Sequence, residues 1–302
     1  MASLAKEALK DFSIVVITGA RQVGKSTFLE KEFQGFKYVN LDEFDYLLQA
    51  KTDPEPLWID SDRVIIDEAQ RVPEIFPYIK ATVDRAKGKK RFILSGSSNI
   101  LLMKNISESL AGRAIYLEMF PMTVAEAEGI SRPRNFQEIL KGKTVKEQEP
   151  GEKEPIKYLL RGLMPPLLFI KNLRSILLWW EGYIKTYLER DLRELSQIDS
   201  LIDFRRVLEA IAPRTATVIN QTDIARDTGV SQPTISRYLK LLEISNMVLK
   251  LPAFYTNRIK RIVKSPKLFF IDPALSVYLS GYHDRDSLKK SREIGQFFET
   301  LV

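Results

Sequence analysis

The chain has 302 residues, 44% of them hydrophobic and 28% charged, which is enough for two or three soluble domains, and its net charge of +7 permits a nucleic-acid partner without requiring one. It contains no cysteine, which excludes disulfides, thiol catalysis and cysteine-bound zinc and favours the cytoplasm. The N-terminus lacks the apolar core of a signal peptide, and no apolar run approaches the roughly 20 residues of a membrane span, so we expect no membrane contact.

A phosphate-binding loop is predicted near the N-terminus. Ile14–Thr18 is a short apolar and β-branched run typical of a buried strand, and residues 19–26 match G-x-x-x-x-G-K-[ST] in full. The backbone N–H groups of such a loop and of the following helix bind phosphate, Lys25 neutralises the β- and γ-phosphates, and Ser26 binds Mg²⁺. The pattern predicts an ATP site whose ligands are Gly19, Ala20, Arg21, Gln22, Val23, Gly24, Lys25, Ser26 and Thr27.

A second apolar strand, residues 63–66, ends in two acidic residues, as Walker B segments do. Asp67 at the strand tip is expected to bind Mg²⁺, directly or through water, opposite Ser26. Glu68 is placed to polarise an attacking water, and this pair favours an ATP hydrolyser over a kinase or a GTPase switch. The alternative is a strand followed by a solvated acidic turn, which the complete loop upstream makes less favourable.

Small polar residues follow a further strand predicted at residues 91–95. ATPases of this plan use a polar side chain there to orient water or to sense the γ-phosphate. The candidates are Ser97, Ser98 and Asn99, of which Asn99 is predicted to be catalytic. Capping of the next helix is an equally open interpretation, because Ser and Asn are good N-caps.

Two arginines are candidates for stabilising charge in the transition state. Arg113 lies between a small-residue turn and a strand predicted at residues 114–117, and it could act in cis or in a neighbouring subunit of a homo-oligomer. A structural salt bridge is the alternative for Arg113. Arg21, inside the loop itself, is the weaker candidate.

A helix-turn-helix is predicted in the second half of the chain. Ala225, Gly229 and Ile235 stand at the spacing of that motif, Ser231 is expected to cap the second helix, and Pro233 suits its first turn. Strands predicted at 247–251 and 267–271, with a basic hairpin between them, would complete a winged helix. If the second helix (232–242) and the wing contact double-stranded or branched DNA, the contacts are Gln232, Thr234, Arg237, Lys240, Arg258, Lys260 and Arg261. Docking of a protein is the alternative for the winged helix.

The whole chain is predicted to be α/β, with a parallel-sheet P-loop NTPase domain followed by a helical lid and a winged-helix domain. Residues 141–157 are rich in Lys, Glu, Gly and Pro, which predicts a linker or mobile loop. The predicted divisions are a nucleotide-binding domain at 1–140, the linker at 141–157, the lid at 158–208, the winged helix at 209–272 and the start of a truncated C-terminal region at 273–302.

The chain resembles the prokaryotic AAA-like P-loop ATPases that carry a winged helix and a C-terminal domain of unknown function. The resemblance covers nearly the whole chain and runs through GARQVGKST, VIIDEAQRVPE, FILSGSSNILLM, SLAGRA, YLERDLREL, the helix-turn-helix and KRIVKSPKLFFID. It implies ATPase roles for Lys25, Ser26, Asp67 and Glu68. It also implies the sheet order of additional-strand ATPases, in which another strand separates the Walker B strand from the P-loop strand.

One departure from that family concerns the C-terminus. Members usually continue into a domain similar to restriction-endonuclease folds, which begins with a segment like residues 295–299, whereas this chain ends at Val302. We therefore expect this nuclease-like domain to be missing, either because the sequence is truncated or because the protein has lost it. Nuclease activity has no support from the sequence, since Glu299 alone cannot assemble a metal site. The function predicted is Mg²⁺-dependent ATP hydrolysis that drives a conformational switch, associated with DNA. A signalling or defence ATPase that docks a protein, and a transcription regulator that senses ATP without turnover, stay open.

Overall fold

A computed structural model of the protein describes residues 1–96, 110, 112–130, 142, 155–186, 198, 200–254 and 265–302. Within these ranges, no helix has both the length and the apolar character that crossing a bilayer requires. Most of the predicted linker lies outside the described residues, as do Ser97, Ser98, Asn99, Arg258, Lys260 and Arg261.

The described residues divide into two compact units. The first comprises Met1–Phe120 with Ile244–Asn246, and the second comprises Pro121–Glu243 with Met247–Val302.

Five parallel strands form the centre of the first unit, namely β1 (Ile14–Thr18), β2 (Lys37–Asn40), β3 (Arg63–Asp67), β4 (Arg91–Ser95) and β5 (Ala114–Glu118). Their order in the sheet is β2-β3-β4-β1-β5. Strand β4 therefore separates β3 from β1, which confirms the order that the family resemblance implied.

Helices cover both faces of this sheet, which confirms the predicted α/β fold. Because successive side chains of a strand point to opposite faces, β1 contributes to two cores. Val15 and Ile17 pack in a cluster with Leu29, whereas Ile14 and Val16 pack in another with Phe76. The helices are α1 (Ala2–Asp11), α2 (Lys25–Glu32), α3 (Phe44–Thr52) and α4 (Ile75–Ala86), with short 3₁₀ turns at Glu55–Leu57 and Ala69–Arg71.

The second unit is mainly helical. One of its cores joins Leu159, Val277, Leu288 and Phe297, which come from helices far apart in the sequence. The ranges predicted as a lid and as a C-terminal region both contribute to this unit. Its helices outside the winged helix are α5 (Val124–Ala127), α6 (Pro155–Arg161), α7 (Leu173–Tyr183), α8 (Leu201–Ile211), and, after the winged helix, α11 (Pro273–Leu279), α12 (Arg285–Lys289) and α13 (Ile294–Leu301), with 3₁₀ turns at Pro165–Phe169 and Ala212–Arg214.

Two helices and a small antiparallel sheet lie at the place of the predicted winged helix. Gly229 makes the turn between the helices with φ +71°, a conformation that favours glycine, and Ile235 is fully buried. Ser231 accepts a hydrogen bond from the backbone N–H of Thr234, as expected of a cap. The helices are α9 (Gln221–Thr228) and α10 (Gln232–Ile244), and the strands, in the order β6-β8-β7, are β6 (Thr217–Val218), β7 (Val248–Leu251) and β8 (Lys267–Phe270).

Candidate functional site

The loop from Gly19 to Gly24 turns the chain sharply between β1 and α2. Gly19 has φ +150°, and a Cβ atom there would lie 2.2 Å from the backbone oxygen of Met119, so only glycine fits. Gln22 and Gly24 also have positive φ, at +65° and +92°. The sequence therefore builds a loop that delivers the N-terminus of α2 to the carboxyl edge of the sheet, where parallel α/β folds bind ligands.

Lys25 is folded back into this loop. Its side chain is 5% exposed, and its ammonium group donates hydrogen bonds to the carbonyl oxygens of Gly19, at 3.1 Å, and Ala20, at 2.8 Å. Burial lowers the pKa of Lys25 from 10.5 to about 8, although the negative charges of Glu68 and Asp67 oppose that shift. The loop thus holds a poorly solvated cation, which a phosphate group would stabilise.

Asp67 ends β3 at the same edge of the sheet, and it is 1% exposed. Its Oδ1 accepts a hydrogen bond of 3.0 Å from the backbone N–H of Glu68, and its Oδ2 accepts one of 2.5 Å from the hydroxyl of Tyr38. These donors stabilise a carboxylate that is almost fully removed from water.

The Ser26 side chain is exposed and lies close to the Tyr38 hydroxyl. Burial and the hydrogen bond to Asp67 raise the pKa of Tyr38, and the nearby Ser26 side chain opposes this rise. The Tyr38 hydroxyl is therefore bonded to Asp67 and close to Ser26. A hydroxyl and a carboxylate are hard oxygen ligands of the kind Mg²⁺ prefers, so the donor set fits the metal that the loop implies.

Glu68 has a left-handed backbone, with φ +53° and ψ +38°. Burial is the main cause that raises the pKa of Glu68, and the neighbouring charge of Asp67 adds to it. The side-chain amide of Gln70 donates a hydrogen bond to the Glu68 carboxylate and opposes the shift. A carboxylate with a raised pKa is a better proton acceptor, as general-base catalysis requires.

Sequence reasoning did not identify Tyr38 or Gln70 as part of this site. Tyr38 lies on β2, and its contact with Asp67 follows from the pairing of β2 with β3, in which Asn40 is opposite Asp67. Gln70 follows Glu68 by two residues, and this short spacing is the feature of the sequence that could have indicated their contact.

The structure does not bring Arg113 to the loop of its own chain. Arg113 immediately precedes β5, whose first residue pairs with Ile14 at the start of β1, so it lies at the amino edge of the sheet. The loop follows the other end of β1, on the order of 15 Å away at about 3.3 Å per residue. The Arg113 guanidinium forms an ion pair with Asp84, with Nε to Oδ1 at 2.6 Å. Arg21, in contrast, is close enough to lower the pKa of Lys25 by charge repulsion.

Three of the four predicted DNA-contacting residues of α10 have a described local contact. Gln232 donates a 2.6 Å hydrogen bond to Thr222, and Thr234 lies 2.9 Å from the hydroxyl of Ser231. Arg237 is exposed, with its guanidinium 5.6 Å from the ring centre of Tyr238, and Lys240 is also exposed. The other three predicted contacts, Arg258, Lys260 and Arg261, lie outside the described residues.

Comparison with known proteins agrees with this geometry. Residues 11–128 match the family model described as an AAA domain, and residues 152–286 match a domain of unknown function, DUF8612. An uncharacterized protein of Mycobacterium tuberculosis is 29% identical over 303 residues, which cover 100% of this chain and 64% of that protein. An uncharacterized protein of Methanocaldococcus jannaschii is 28% identical over 319 residues, which cover 96% and 65%. The chain thus spans less than two thirds of the length of these relatives.

A solved structure has the same fold. The Walker-type ATPase of Pyrococcus abyssi superposes with a TM-score of 0.58 at 19% identity, covering 92% of this chain and 94% of the other. Residues 11–128 therefore belong to the AAA domains, and residues 152–286 match a domain family of unknown function.

Proposed function

We propose that the chain binds ATP with Mg²⁺ and hydrolyses it. The observation that carries the proposal is the assembly of a buried cation, Lys25, and a buried carboxylate, Asp67, at the carboxyl edge of one parallel sheet. Each of these groups is unfavourable to bury without a partner of opposite charge. A triphosphate with its magnesium ion supplies both partners.

Each side chain has a defined task in this reaction. Lys25 and the N-terminus of α2 bind the β- and γ-phosphates, and Ser26 and Asp67 hold Mg²⁺, which neutralises the charge that develops on the phosphoryl oxygens. Glu68 takes a proton from the attacking water, for which its raised pKa is suited. Arg21 adds positive charge at the loop.

Two further catalytic roles are proposed, one for Asn99, which lies outside the described residues, and one for Arg113. Asn99 is proposed to orient water or to sense the γ-phosphate. Arg113 is proposed to act on the site of a neighbouring subunit, since a long distance separates it from the loop of its own chain. A turnover rate that rises with protein concentration would support the role of Arg113 in a homo-oligomer.

We further propose that hydrolysis drives a conformational switch associated with DNA through the winged helix. The support is the helix-turn-helix geometry around Gly229 and the exposure of Gln232, Arg237 and Lys240 on α10. A gel shift with duplex DNA whose affinity falls steeply as salt rises would support this association, because phosphate contacts release counterions.

Protein docking is the second candidate for the winged helix, and one observation favours it. The outer face of the small sheet carries Val218, Leu249 and Leu251, which are 56%, 47% and 52% exposed. Adjacent apolar residues that remain exposed are typical of protein-binding surfaces. No DNA binding at low salt would favour docking over DNA association.

The direct experiment measures phosphate release by the whole chain with ATP, with and without Mg²⁺, and with and without duplex and branched DNA. The proposal expects Mg²⁺-dependent release. Binding of ATP without any release would favour an ATP sensor that does not turn over. Absence of ATP binding would overturn the proposal.

A further inference from the structure

Tyr38 is held between the sheet and α2. It lies on β2, an end strand of the sheet, and its ring packs against the cluster that contains Leu29 of α2 and Phe33, the residue after α2. In the register of β2 and β3 it is opposite Ile65, two residues before the end of β3. This packing fixes the ring and leaves its hydroxyl at the carboxyl edge of the sheet.

At that edge, the hydroxyl occupies a central place among the residues that fit Mg²⁺. It donates to Oδ2 of Asp67 at 2.5 Å, while the backbone N–H of Glu68 occupies Oδ1. The Ser26 side chain lies close to the same hydroxyl. The two candidate metal ligands come from different elements of the fold, and both are therefore near one phenol oxygen, to which Asp67 is hydrogen-bonded.

We infer that Tyr38 is a positioning residue whose hydroxyl holds Asp67 when no metal is bound, and that Mg²⁺ must take Asp67 from it. The inference rests on the proposed function, because it assumes that Mg²⁺ and a nucleotide bind at this loop. Tyr38 then sets the Mg²⁺ concentration that the site requires. Release of its hydroxyl from Asp67 couples metal binding to β2.

Removal of the Tyr38 hydroxyl should strengthen the binding of Mg²⁺. A phenol that donates to a buried carboxylate stabilises the metal-free site, so removing the hydroxyl destabilises that state more than the metal-bound one. Tyr38→Phe keeps the ring that packs against Leu29 and removes only the oxygen. We expect this variant to need about tenfold less Mg²⁺ for half-maximal nucleotide binding, because one hydrogen bond to a charged group no longer competes.

The test is a Mg²⁺ titration of the whole chain at a fixed concentration of fluorescent ADP, with nucleotide binding as the readout. The control is Tyr78→Phe, because Tyr78 lies on α4 and is 45% exposed. The expected result is a lower Mg²⁺ midpoint for Tyr38→Phe and an unchanged midpoint for Tyr78→Phe. An unchanged or raised midpoint for Tyr38→Phe would overturn the inference, while binding by the unsubstituted chain would leave the proposed function intact. If the unsubstituted chain bound no nucleotide, both would be overturned.

A second readout follows the Tyr38 hydroxyl in the unsubstituted chain. The chain is labelled with 3-fluorotyrosine, and the fluorine resonance of Tyr38 is assigned by its loss in Tyr38→Phe. We expect this resonance to shift with Mg²⁺ and ADP together and to stay in place with ADP and a chelator. A resonance that is the same in both conditions would show that the metal does not displace the hydroxyl.

Discussion

Asp67 and Asp272 are both buried carboxylates, one in each unit, with exposed fractions of 1% and 0%. Their surroundings differ. The Tyr38 hydroxyl, one of the donors to Asp67, belongs to a side chain, and the neighbouring Lys25 and Ser26 begin α2, directly after the loop that fits a ligand. Asp272 accepts instead from the backbone N–H groups of Leu163, Met164 and Ala274 at 2.8, 3.1 and 2.9 Å.

The chain around Asp272 leaves no room for another partner. A Cβ atom on Gly162 would lie 2.9 Å from both Oδ1 of Asp272 and the indole of Trp180, and Gly162 has φ +90°. Asp272 also caps α11. Backbone N–H donors surround Asp272, so this carboxylate stabilises one arrangement of the fold. Asp67 accepts from a side-chain hydroxyl, and it can exchange that donor for a metal ion.

The largest expected effect concerns Glu68, the proposed general base that follows Asp67. Glu68→Gln should lower turnover at least about 100-fold, because a general base contributes this much or more, while nucleotide affinity changes little. Phosphate release and equilibrium binding measure the two quantities. The control is Glu74→Gln, an exposed carboxylate at the start of α4. Equal turnover by Glu68→Gln and the unsubstituted chain would remove the assigned base.

The next largest effect concerns stability in the second unit. Asp272→Ala should lower the free energy of unfolding by about 3 kcal/mol, because three buried N–H groups lose their acceptor. Urea denaturation measures it, and in a Trp58→Phe background Trp179 and Trp180 report on this unit by their fluorescence. Asp286→Ala, an exposed position on α12, is the control. A loss equal to that of the control would mean that Asp272 does not hold the fold.

The same residue gives a pH dependence with a defined sign. Burial raises the pKa of Asp272 from 3.8 to about 6, so the folded state binds more protons than the unfolded state between these values. Its contribution to stability is therefore greatest below about pH 4 and is lost as the pH rises to about 6, by up to about 3 kcal/mol at 1.36 kcal/mol per pKa unit.

Denaturation curves from pH 4 to 7 compare the unsubstituted chain with Asp272→Asn, which cannot ionise. We expect the loss of stability that ionisation of Asp272 causes between about pH 4 and 6 to be absent in Asp272→Asn. An identical pH profile in both proteins would contradict the raised pKa.

The smallest expected effect tests the placement of Arg113. The side chains of its ion pair with Asp84 are 37% and 44% exposed, so Arg113→Ala should lower stability by no more than about 1 kcal/mol. Nucleotide affinity should stay within about twofold, because the loop is remote from Arg113 in the same chain. Calorimetric titration with nucleotide measures this, and a large loss of affinity would contradict the placement.

The sequence predicted the parts of the site that depend on local order. The strand–loop–helix around Gly19 and Lys25, and the strand that ends in Asp67, carry their signal within a few consecutive residues, and the structure has these elements where they were predicted.

Contacts between elements could not be predicted in the same way. The bond between Tyr38 and Asp67 depends on the pairing of β2 with β3, and the closure around Asp272 joins residues 109 positions apart. The position of Arg113 could have been predicted from the sequence. A residue just before a strand that runs parallel to β1 lies at the edge of the sheet opposite to the loop.

The central claim is that the loop around Lys25 binds a triphosphate together with Mg²⁺. Calorimetric titration of the whole chain with a non-hydrolysable ATP analogue, with and without Mg²⁺, tests it most directly when Lys25→Ala is measured alongside. We predict Mg²⁺-dependent binding that Lys25→Ala weakens at least about 100-fold, since a buried charge-assisted contact is lost. Equal affinity of the two proteins, or binding that is indifferent to Mg²⁺, would contradict the account.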